Sequence, residues 1–275
     1  MKSYYGNVVI ITGASSGIGK AIAEKLVKEG FRVYGTSRRA GDIATTAPSD
    51  SSSGSLKLIK LDVCSNDSVD KAVKYVFEAE GRIDILINCA GYGASGAIEE
   101  TSDEEAFSQF DTNFFGIHRM CKSVLPIMRS QGKGLIVNIG SVAGLIAVPY
   151  QSMYSASKYA IEAFTDALRL EVKQFSIRAV VVEPGDTKTG FTDNRYFSEG
   201  SKKSSYMGSK SSIDKMIHDE LNGPGPEQIA NIVVKLTTRK NPPVRVTVGF
   251  VYKVFAMLKR LLPSRLVEFI LSKMY

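Results

Sequence analysis

Residues 8–19 read VVIITGASSGIG. The β-branched, apolar run at 8–11 predicts a buried strand, and the amphipathic sequence KAIAEKLVKEG at 20–30 predicts a helix directly after it. Between them, Gly13, Gly17 and Gly19 allow a phosphate group to approach the backbone without a Cβ in the way. The start of the helix directs free N–H groups and a positive dipole end to the same place. The stretch therefore predicts a strand, an anion-binding turn and a helix.

The glycine spacing alone leaves the ligand open. It is Gly-x3-Gly-x-Gly, whereas the common dinucleotide fingerprint is Gly-x-Gly-x2-Gly, and glycine turns also join strands to helices in proteins that bind nothing. The end of the second apolar run, YGTSRR at 34–39, is more informative, because this position reads the adenosine ribose in dinucleotide-binding sheets. It has no acid, and Ser37, Arg38 and Arg39 could clamp a 2′-phosphate. NADP(H) is therefore preferred to NAD(H), with a solvated arginine pair on a surface loop as the alternative.

Apolar runs of strand character recur along the chain, with helical patterns between most of them. The candidate strands cover residues 7–11, 31–36, 56–61, 83–88, 134–139, 177–182 and 244–248. Such alternation is typical of a parallel sheet with helices on both faces. We therefore predict an α/β fold with a doubly wound parallel sheet of about seven strands, in a single domain over residues 1–275.

Three segments depart from this rhythm. Residues 40–55 are rich in Ser, Thr and small residues, which predicts a mostly irregular crossover. Residues 195–222 are polar and long, which predicts a mobile lid or a helical insertion near the substrate. Residues 251–275 form a basic, apolar tail that Pro263 should divide into two short helices.

Composition limits the function classes. The chain has 275 residues, 44% hydrophobic and 23% charged, which excludes disorder as the dominant state. Nearly all of its net charge of +7 comes from residues 240–275, where seven basic residues accompany one acid, and the first 239 residues are almost neutral. These cations are interleaved with Leu, Phe and Met, which argues against nucleic-acid binding.

Location and redox state are also indicated by the sequence. Cys64, Cys89 and Cys121 form no CxxC pair, which argues for reduced thiols and against a bound metal. The N-terminus passes at once into a strand-like run, which leaves no room for a signal peptide, and no apolar window is long enough for a membrane span. We therefore expect a cytoplasmic protein.

The chemistry is indicated by Tyr154 and Lys158. Tyr154 opens a helix-forming run, YSASKYAIEAFTDALRLEV at 154–172, which contains Lys158 and follows Ser141 at the end of the fifth candidate strand. Positions i and i+4 share a helix face, so the ammonium can lie near the phenol and lower its pKa, which suits a general acid/base. The same spacing occurs at Tyr206 and Lys210, but within the polar insertion. We interpret that second copy as a chance match.

Several motifs in fixed order now resemble one family. They are TGASSGIG at 12–19, LDV at 61–63, NCAG at 88–91, Asn113 in DTNFFG, Ser141, Tyr154 with Lys158, and PGDTKT at 184–189. Over essentially its whole length the chain resembles a short-chain dehydrogenase/reductase of the Tyr-x3-Lys type, close to the hydroxysteroid and retinol dehydrogenase-like members. The resemblance implies a Rossmann-type fold.

The resemblance also implies roles for residues. Tyr154 would act as general acid/base, Lys158 would bind the nicotinamide ribose and tune Tyr154, Ser141 would polarise the substrate oxygen, and Asn113 would hold a water behind Lys158. The expected cofactor-binding residues are Gly13, Ser15, Ser16, Gly17, Ile18, Gly19, Ser37, Arg38, Arg39, Asp62, Val63, Asn88, Ala90, Gly91, Lys158, Pro184, Gly185, Thr187 and Thr189. Cys89 replaces the usual second Asn of that motif and could expose a thiol beside the cofactor.

The expected activity is NADP-dependent oxidoreduction at a CH–OH group, interconverting an alcohol and a ketone or aldehyde. The apolar tail resembles that of members acting on steroids, retinoids and fatty acyl ketones, so we expect a hydrophobic substrate and a tail that walls its pocket. A homodimer or homotetramer is expected from family habit. The tail also fits adsorption to an anionic membrane surface, with packing on the body or a partner subunit as the alternative. The competing function is a catalytically silent nucleotide-binding sensor or scaffold.

Overall fold

The computed structural model describes residues 2–40, 44–46 and 54–274. Seven strands form a parallel sheet, and their bounds are β1 Val8–Ile11, β2 Arg32–Ser37, β4 Ser55–Lys60, β5 Ile85–Asn88, β7 Gly134–Ile139, β8 Ile177–Glu183 and β10 Arg245–Thr247. A short strand, β3 (Ala44–Thr46), pairs antiparallel with β4 at one edge. The order across the sheet is β10-β8-β7-β5-β1-β2-β4-β3. The predicted doubly wound parallel sheet is confirmed.

Strand β3 was not predicted, because it lies in the crossover at 40–55 that was expected to be mostly irregular. Its three residues lack the alternating apolar pattern of a half-buried strand, but they satisfy backbone groups at the open edge of β4. The rest of that expectation, at 41–43 and 47–53, lies outside the described residues.

Helices cover both faces of the sheet. Their bounds are α1 Gly17–Lys28, α2 Asn66–Glu80, α3 Asp103–Phe110, α4 Gly116–Gln131, α5 Ser152–Glu171, α6 Ser209–Asn222, α7 Glu227–Thr237, α8 Phe250–Leu261 and α9 Ser264–Met274. Side chains alternate along each strand, so β1 directs Val8 and Ile10 towards α2, α4 and α5. Val9 and Ile11 point the other way, towards α1 and α7. These two apolar layers pack against the two faces of the sheet beneath the site.

Two smaller features lie above the sheet. Strands β6 (Ala94–Ser95) and β9 (Tyr196–Phe197) pair in parallel, which attaches the start of the 195–222 insertion to the body. The insertion continues through a 3₁₀ turn, Glu199–Lys203, into α6. A π-helical turn, Asp111–Phe115, joins α3 to α4 without a break, and such turns are often found at functional sites.

The tail has the predicted division, since α8 and α9 lie on either side of Pro263. Tyr252 of α8 packs so closely over Gly185 that a Cβ at Gly185 would overlap the ring. Lys259 donates hydrogen bonds to the Leu145 carbonyl and to the Tyr159 hydroxyl. These contacts fix α8 against the body. No helix among the described residues combines the length and apolar character that a bilayer crossing requires.

Candidate active site

A large cleft of about 1420 Å³ opens at the carboxyl ends of the parallel strands. This edge of a doubly wound sheet is where such folds bind ligands, because the loops leaving the strands diverge there. The cleft brings together all but two of the predicted catalytic and cofactor residues, the exceptions being Asn88 and Asn113. Residues distant in sequence thus meet at one edge.

The glycine-rich turn has the close packing that its sequence predicts. A Cβ on Gly19 would overlap the Gly13 carbonyl oxygen, and a Cβ on Gly13 would lie 2.9 Å from the Ala90 Cα atom. Ser16 is the N-cap of α1, but no side chain caps the first turn of this helix. The backbone N–H groups there face the cleft together with the positive end of the helix dipole. The turn therefore fits a pyrophosphate.

Beside the turn, the end of β2 supplies positive charge. Arg38 and Arg39 are exposed and line the cleft, and Ser37 accepts a hydrogen bond from the Arg39 backbone N–H at 3.2 Å. Asp62 and Val63, which follow β4, line the same end. The Asp62 carboxylate accepts the Cys64 backbone N–H at 3.0 Å, which fixes its orientation. This end of the cleft has the shape and charge for a phosphorylated nucleoside.

The loop after β5 forms the middle of the cleft. The Thr12 hydroxyl accepts backbone hydrogen bonds from Cys89 at 2.9 Å and Ala90 at 3.1 Å, which ties this loop to the glycine-rich turn. Ala90 and Gly91 line the cleft as predicted. Pro184, Gly185, Thr187 and Thr189 line it from the loop that follows β8.

Asn88 does not lie in the cleft. Its side chain is 2% exposed and donates a hydrogen bond to the Asn138 side chain at 2.8 Å, beneath the loop. Asn138 in turn donates to Thr165 at 2.9 Å. The prediction that Asn88 lines the cofactor cleft is therefore corrected. As the last residue of β5 it points into the interior, where it links β5 to β7 and α5.

Tyr154 and Ser141 meet inside the cleft. Burial raises the pKa of Tyr154 to about 12, and a hydrogen bond with Ser141 offsets part of that rise. The Ser141 hydroxyl also accepts the Ala143 backbone N–H at 3.1 Å, which holds it at the start of a 3₁₀ turn. At neutral pH the phenol is therefore protonated and beside a second hydroxyl.

Lys158 lies one turn further along α5, with its Nζ 5.6 Å from the centre of the Tyr154 ring. It donates to the Ile139 carbonyl at 2.9 Å, and burial lowers its pKa to about 8. The predicted proximity is present, but the predicted direction of the tyrosine pKa is wrong for the chain by itself. Burial of the phenol outweighs the hydrogen bond with Ser141 and the charge of Arg195, which both lower this pKa.

Asn113 lies behind the cleft, within the π-helical turn. Its amide nitrogen donates to the Tyr92 carbonyl at 3.0 Å and to the Ser157 hydroxyl at 3.2 Å. Its oxygen accepts the Tyr92 backbone N–H at 3.1 Å. The structure thus places Asn113 in a supporting position, where it joins the loop after β5 to α5. The predicted water relay behind Lys158 stays a prediction.

Comparison with known proteins identifies the family. The short chain dehydrogenase family profile matches residues 7–200. The chain is 42% identical over 274 residues to a 3-ketodihydrosphingosine reductase of Bacteroides thetaiotaomicron, covering 98% of this chain and 97% of that protein. The chain is a short-chain dehydrogenase/reductase.

Two further relatives agree. This short-chain dehydrogenase/reductase is 34% identical over 271 residues to bovine retinol dehydrogenase 8, covering 93% of this chain and 86% of that one. A short-chain dehydrogenase from Streptomyces avermitilis superposes with a TM-score of 0.79 at 32% identity, covering 92% of each chain. The chain is therefore an oxidoreductase of the keto/alcohol type in a family that uses NAD(P)(H).

Several residues of this short-chain dehydrogenase/reductase site were missed in the sequence. Phe191 packs on Tyr154, with 5.8 Å between the two ring centres. Arg195 is buried, forms an ion pair with Glu220 of α6, and donates to the Ser95 hydroxyl at 3.1 Å. The position of Phe191, two residues after PGDTKT, could have suggested the first contact. The ion pair of Arg195 with Glu220 could not be predicted from the sequence, because Arg195 lies at the start of a polar stretch that gives no indication of burial.

The tail contributes to the short-chain dehydrogenase/reductase cleft as well. The Tyr252 hydroxyl donates to the Asp186 carboxylate and accepts the Asp186 backbone N–H at 3.2 Å. Burial raises the pKa of Asp186, and the hydrogen bond from Tyr252 offsets part of that rise. Tyr252, Phe255 and Leu271 line the cleft.

Cys89 also reaches the cleft, but burial raises its pKa to about 12, so it is a thiol rather than a reactive thiolate at neutral pH.

Proposed function

We propose that this chain is an NADP(H)-dependent reductase of a hydrophobic ketone or aldehyde, with Tyr154 as the general acid. The observation that carries the proposal is the contact of the Tyr154 phenol with Ser141, next to Lys158, on the wall of the cleft. A phenol that stays protonated at neutral pH suits proton donation to a carbonyl oxygen. The reverse oxidation uses the same residues, with the phenolate as the proton acceptor.

The protein's part in the reaction is to bind, orient and move a proton. The turn at 13–19 and the loops after β4, β5 and β8 would hold NADPH, which supplies a hydride to the carbonyl carbon when bound. Ser141 would hold the substrate oxygen, and Tyr154 would transfer its proton to that oxygen as the C=O bond becomes C–OH. Lys158, with a pKa lowered to about 8, would help to restore the proton of Tyr154 from solvent.

The preference for NADP(H) rests on the end of β2. Two exposed guanidinium groups, on Arg38 and Arg39, line the cleft next to Ser37, with no acid between Gly35 and Ala40. A carboxylate at this position would accept a bond from a ribose hydroxyl and repel a 2′-phosphate, whereas a guanidinium pair binds the phosphate.

The substrate class rests on the lining of the cleft beyond Tyr154. Apolar side chains come from the loops after β7 and β8, from α6 and from the tail, namely Val142, Ile146, Val148, Phe191, Met216, Val251, Phe255 and Leu271. Such a wall favours steroid, retinoid or fatty acyl groups over small polar substrates. The relative with 42% identity is named for the reduction of 3-ketodihydrosphingosine, which is therefore the first substrate to test.

The test compares Tyr154→Phe with Tyr206→Phe. Tyr206 has the same spacing to a lysine but is 41% exposed, so it is the matched control. NADPH oxidation should be followed at the nicotinamide absorbance with 3-ketodihydrosphingosine, a ketosteroid and retinal, and repeated with NADH. We expect Tyr154→Phe to bind NADPH, but its turnover number should fall by a factor of about 10² to 10⁴. Tyr206→Phe should match the native protein.

The competing proposal is a nucleotide-binding sensor or scaffold without turnover. Native protein that binds NADPH but reduces none of these carbonyl compounds would favour it. A Tyr154→Phe variant with full activity would instead refute the role proposed for Tyr154. The presence of Ser141, Tyr154 and Lys158 in one contact set argues against a sensor, because nucleotide binding alone needs no proton donor. A homodimer or homotetramer stays a prediction, to be measured by light scattering on the same samples.

A further inference from the structure

The two tail helices have apolar groups on opposite sides. The inner side of α8 carries Tyr252 and Phe255, which line the cleft, and Lys259, which is hydrogen-bonded to the body. On the other side, Phe250, Met257 and Leu261 are 81%, 54% and 71% exposed. Spacings of seven and eleven residues place these three within about 20° of one line along the helix. One apolar stripe of α8 therefore faces solvent.

Helix α9 continues this surface. Leu266 and Phe269 are 43% and 59% exposed, although Leu271 of the same helix lines the cleft. We call the exposed set Phe250, Met257, Leu261, Leu266 and Phe269 the tail face. A helix packed only on its own protein would expose polar residues on this side, so the tail face is suited to a further apolar medium.

The charges around the tail face indicate which medium that is. Lys253, Arg260, Arg265 and Lys273 are all exposed. Residues 250–274 hold five basic residues and one acid, Glu268, whereas the first 239 residues hold 28 basic and 27 acidic residues. Exposed Phe and Leu bordered by Lys and Arg are typical of helices that lie in the interface of an anionic bilayer.

A second copy of the chain fits the tail face less well. In a two-fold dimer the same patch meets itself, so the cations of the two tails would be brought against one another. Anionic lipid headgroups provide the opposite charge, and the hydrocarbon beneath them accepts the apolar side chains. Charge complementarity therefore favours lipid.

We propose that the tail face docks on an anionic membrane surface, with α8 and α9 lying flat at the headgroup level. Because Val251 and Leu271 of these helices also line the cleft, docking would bring an opening of the cleft close to the lipid. The docking does not depend on the proposed function. The further consequence of docking, that a hydrophobic substrate enters the cleft from the bilayer, does rest on the proposed function.

The experiment is co-sedimentation of the full chain with vesicles of phosphatidylcholine alone or with phosphatidylglycerol added. Two variants test the surface: Phe250→Ser with Leu261→Ser, and Lys253→Glu with Arg265→Glu. Controls of matched exposure are Phe107→Ser, at 73% exposed, and Lys71→Glu with Lys74→Glu, whose side chains are 75% and 73% exposed. Thermal unfolding midpoints check that each variant folds.

We expect native protein and both controls to sediment with the anionic vesicles only. Each tail variant should bind at least about tenfold more weakly, because one loses apolar area that would be buried in the lipid and the other reverses charges that attract the anionic surface. Native protein that stays in the supernatant overturns the proposal, as does equal binding by the tail variants. Tail variants that convert a dimer to a monomer, without vesicle binding by the native protein, would assign the tail face to a second copy. Sedimentation requires no turnover, so it is informative even if no ketone is reduced.

Discussion

Glu162 and Glu183 are two buried acids that lie beside the same partly exposed cation, Arg245. Arg245 Nε lies 3.5 Å from an oxygen of Glu162 and 3.7 Å from an oxygen of Glu183, and their side chains are 9% and 0% exposed. Burial, followed by repulsion from Glu183, raises the pKa of Glu162 to about 8. Glu162 lies one turn beyond Lys158 on α5, so this acid pair lies directly behind the site.

We expect Glu162→Gln to change how stability depends on pH. The folded pKa is raised above the unfolded one, so the folded state holds a proton that the unfolded state releases. This proton adds to the free energy of unfolding. The added stability is fully present below about pH 4.5 and is lost as pH rises through about 8. The amide of the variant does not titrate, so the variant does not suffer this loss. Between pH 6 and pH 9 its free energy of unfolding should therefore rise, relative to that of the native protein, by on the order of 2 kcal/mol.

Urea unfolding of both proteins at the two pH values measures this gain. Glu24→Gln, whose side chain is 54% exposed on α1, is the control and should follow the native protein. If the free energies of unfolding of Glu162→Gln and native protein differ by the same amount at pH 6 and pH 9, the assignment of the proton to Glu162 is contradicted.

NADPH binding should weaken as pH rises through about 8. Burial lowers the pKa of Lys158 to about 8, so its ammonium is lost in this range, and the proposed contact with the nicotinamide ribose loses its charge. We expect an increase of about tenfold in the Kd between pH 7 and pH 9.5. Fluorescence titration of NADPH checks this. Lys158→Met has no titrating group at this position, so its affinity for NADPH should be lower but should hardly change with pH. If the Kd of this variant rises with pH as steeply as that of the native protein, the pH dependence does not come from Lys158.

Arg38→Ala with Arg39→Ala should change the choice of cofactor. Each guanidinium is proposed to donate charge-assisted hydrogen bonds to the 2′-phosphate, and such a bond contributes about 1.5 to 3 kcal/mol. We expect kcat/KM with NADPH to fall by at least about tenfold and kcat/KM with NADH to stay the same. NADH is the internal control because it lacks the phosphate. An equal fall with both cofactors would mean that the arginines support the loop rather than read the phosphate.

The parts of the site that the sequence could predict are those defined by local geometry. The strand and helix around Gly13 and Gly19 follow from apolar patterning and from glycines that no other residue can replace. The shared face of Tyr154 and Lys158 follows from helical spacing. Parallel strands then bring these separate motifs to one edge of the sheet, which is why most predicted cofactor residues line one cleft.

The parts that could not be predicted depend on which way a side chain points and on what covers it. Asn88 ends a strand beside residues that line the cleft, but the alternation of side chains turns it inward to Asn138. The pKa of Tyr154 depends on Phe191 and on the insertion packed above it, which contribute burial that no spacing shows. The contact of Tyr252 with Asp186 joins segments 66 residues apart in sequence.

Gly19→Ala should abolish cofactor binding. Gly19 has an ordinary helical backbone, so alanine is not excluded by conformation but by space, since its Cβ would overlap the Gly13 carbonyl. The glycine-rich turn would have to move away from the start of α1, at a cost of about 1 to 3 kcal/mol in stability. Gly208→Ala is the matched control, because its Cβ would lie 3.5 Å from the Tyr150 hydroxyl, in ordinary contact. NADPH titration and thermal unfolding of the two variants should separate them: the control should bind like native protein, and binding by Gly19→Ala at native affinity would show that the turn does not hold the pyrophosphate.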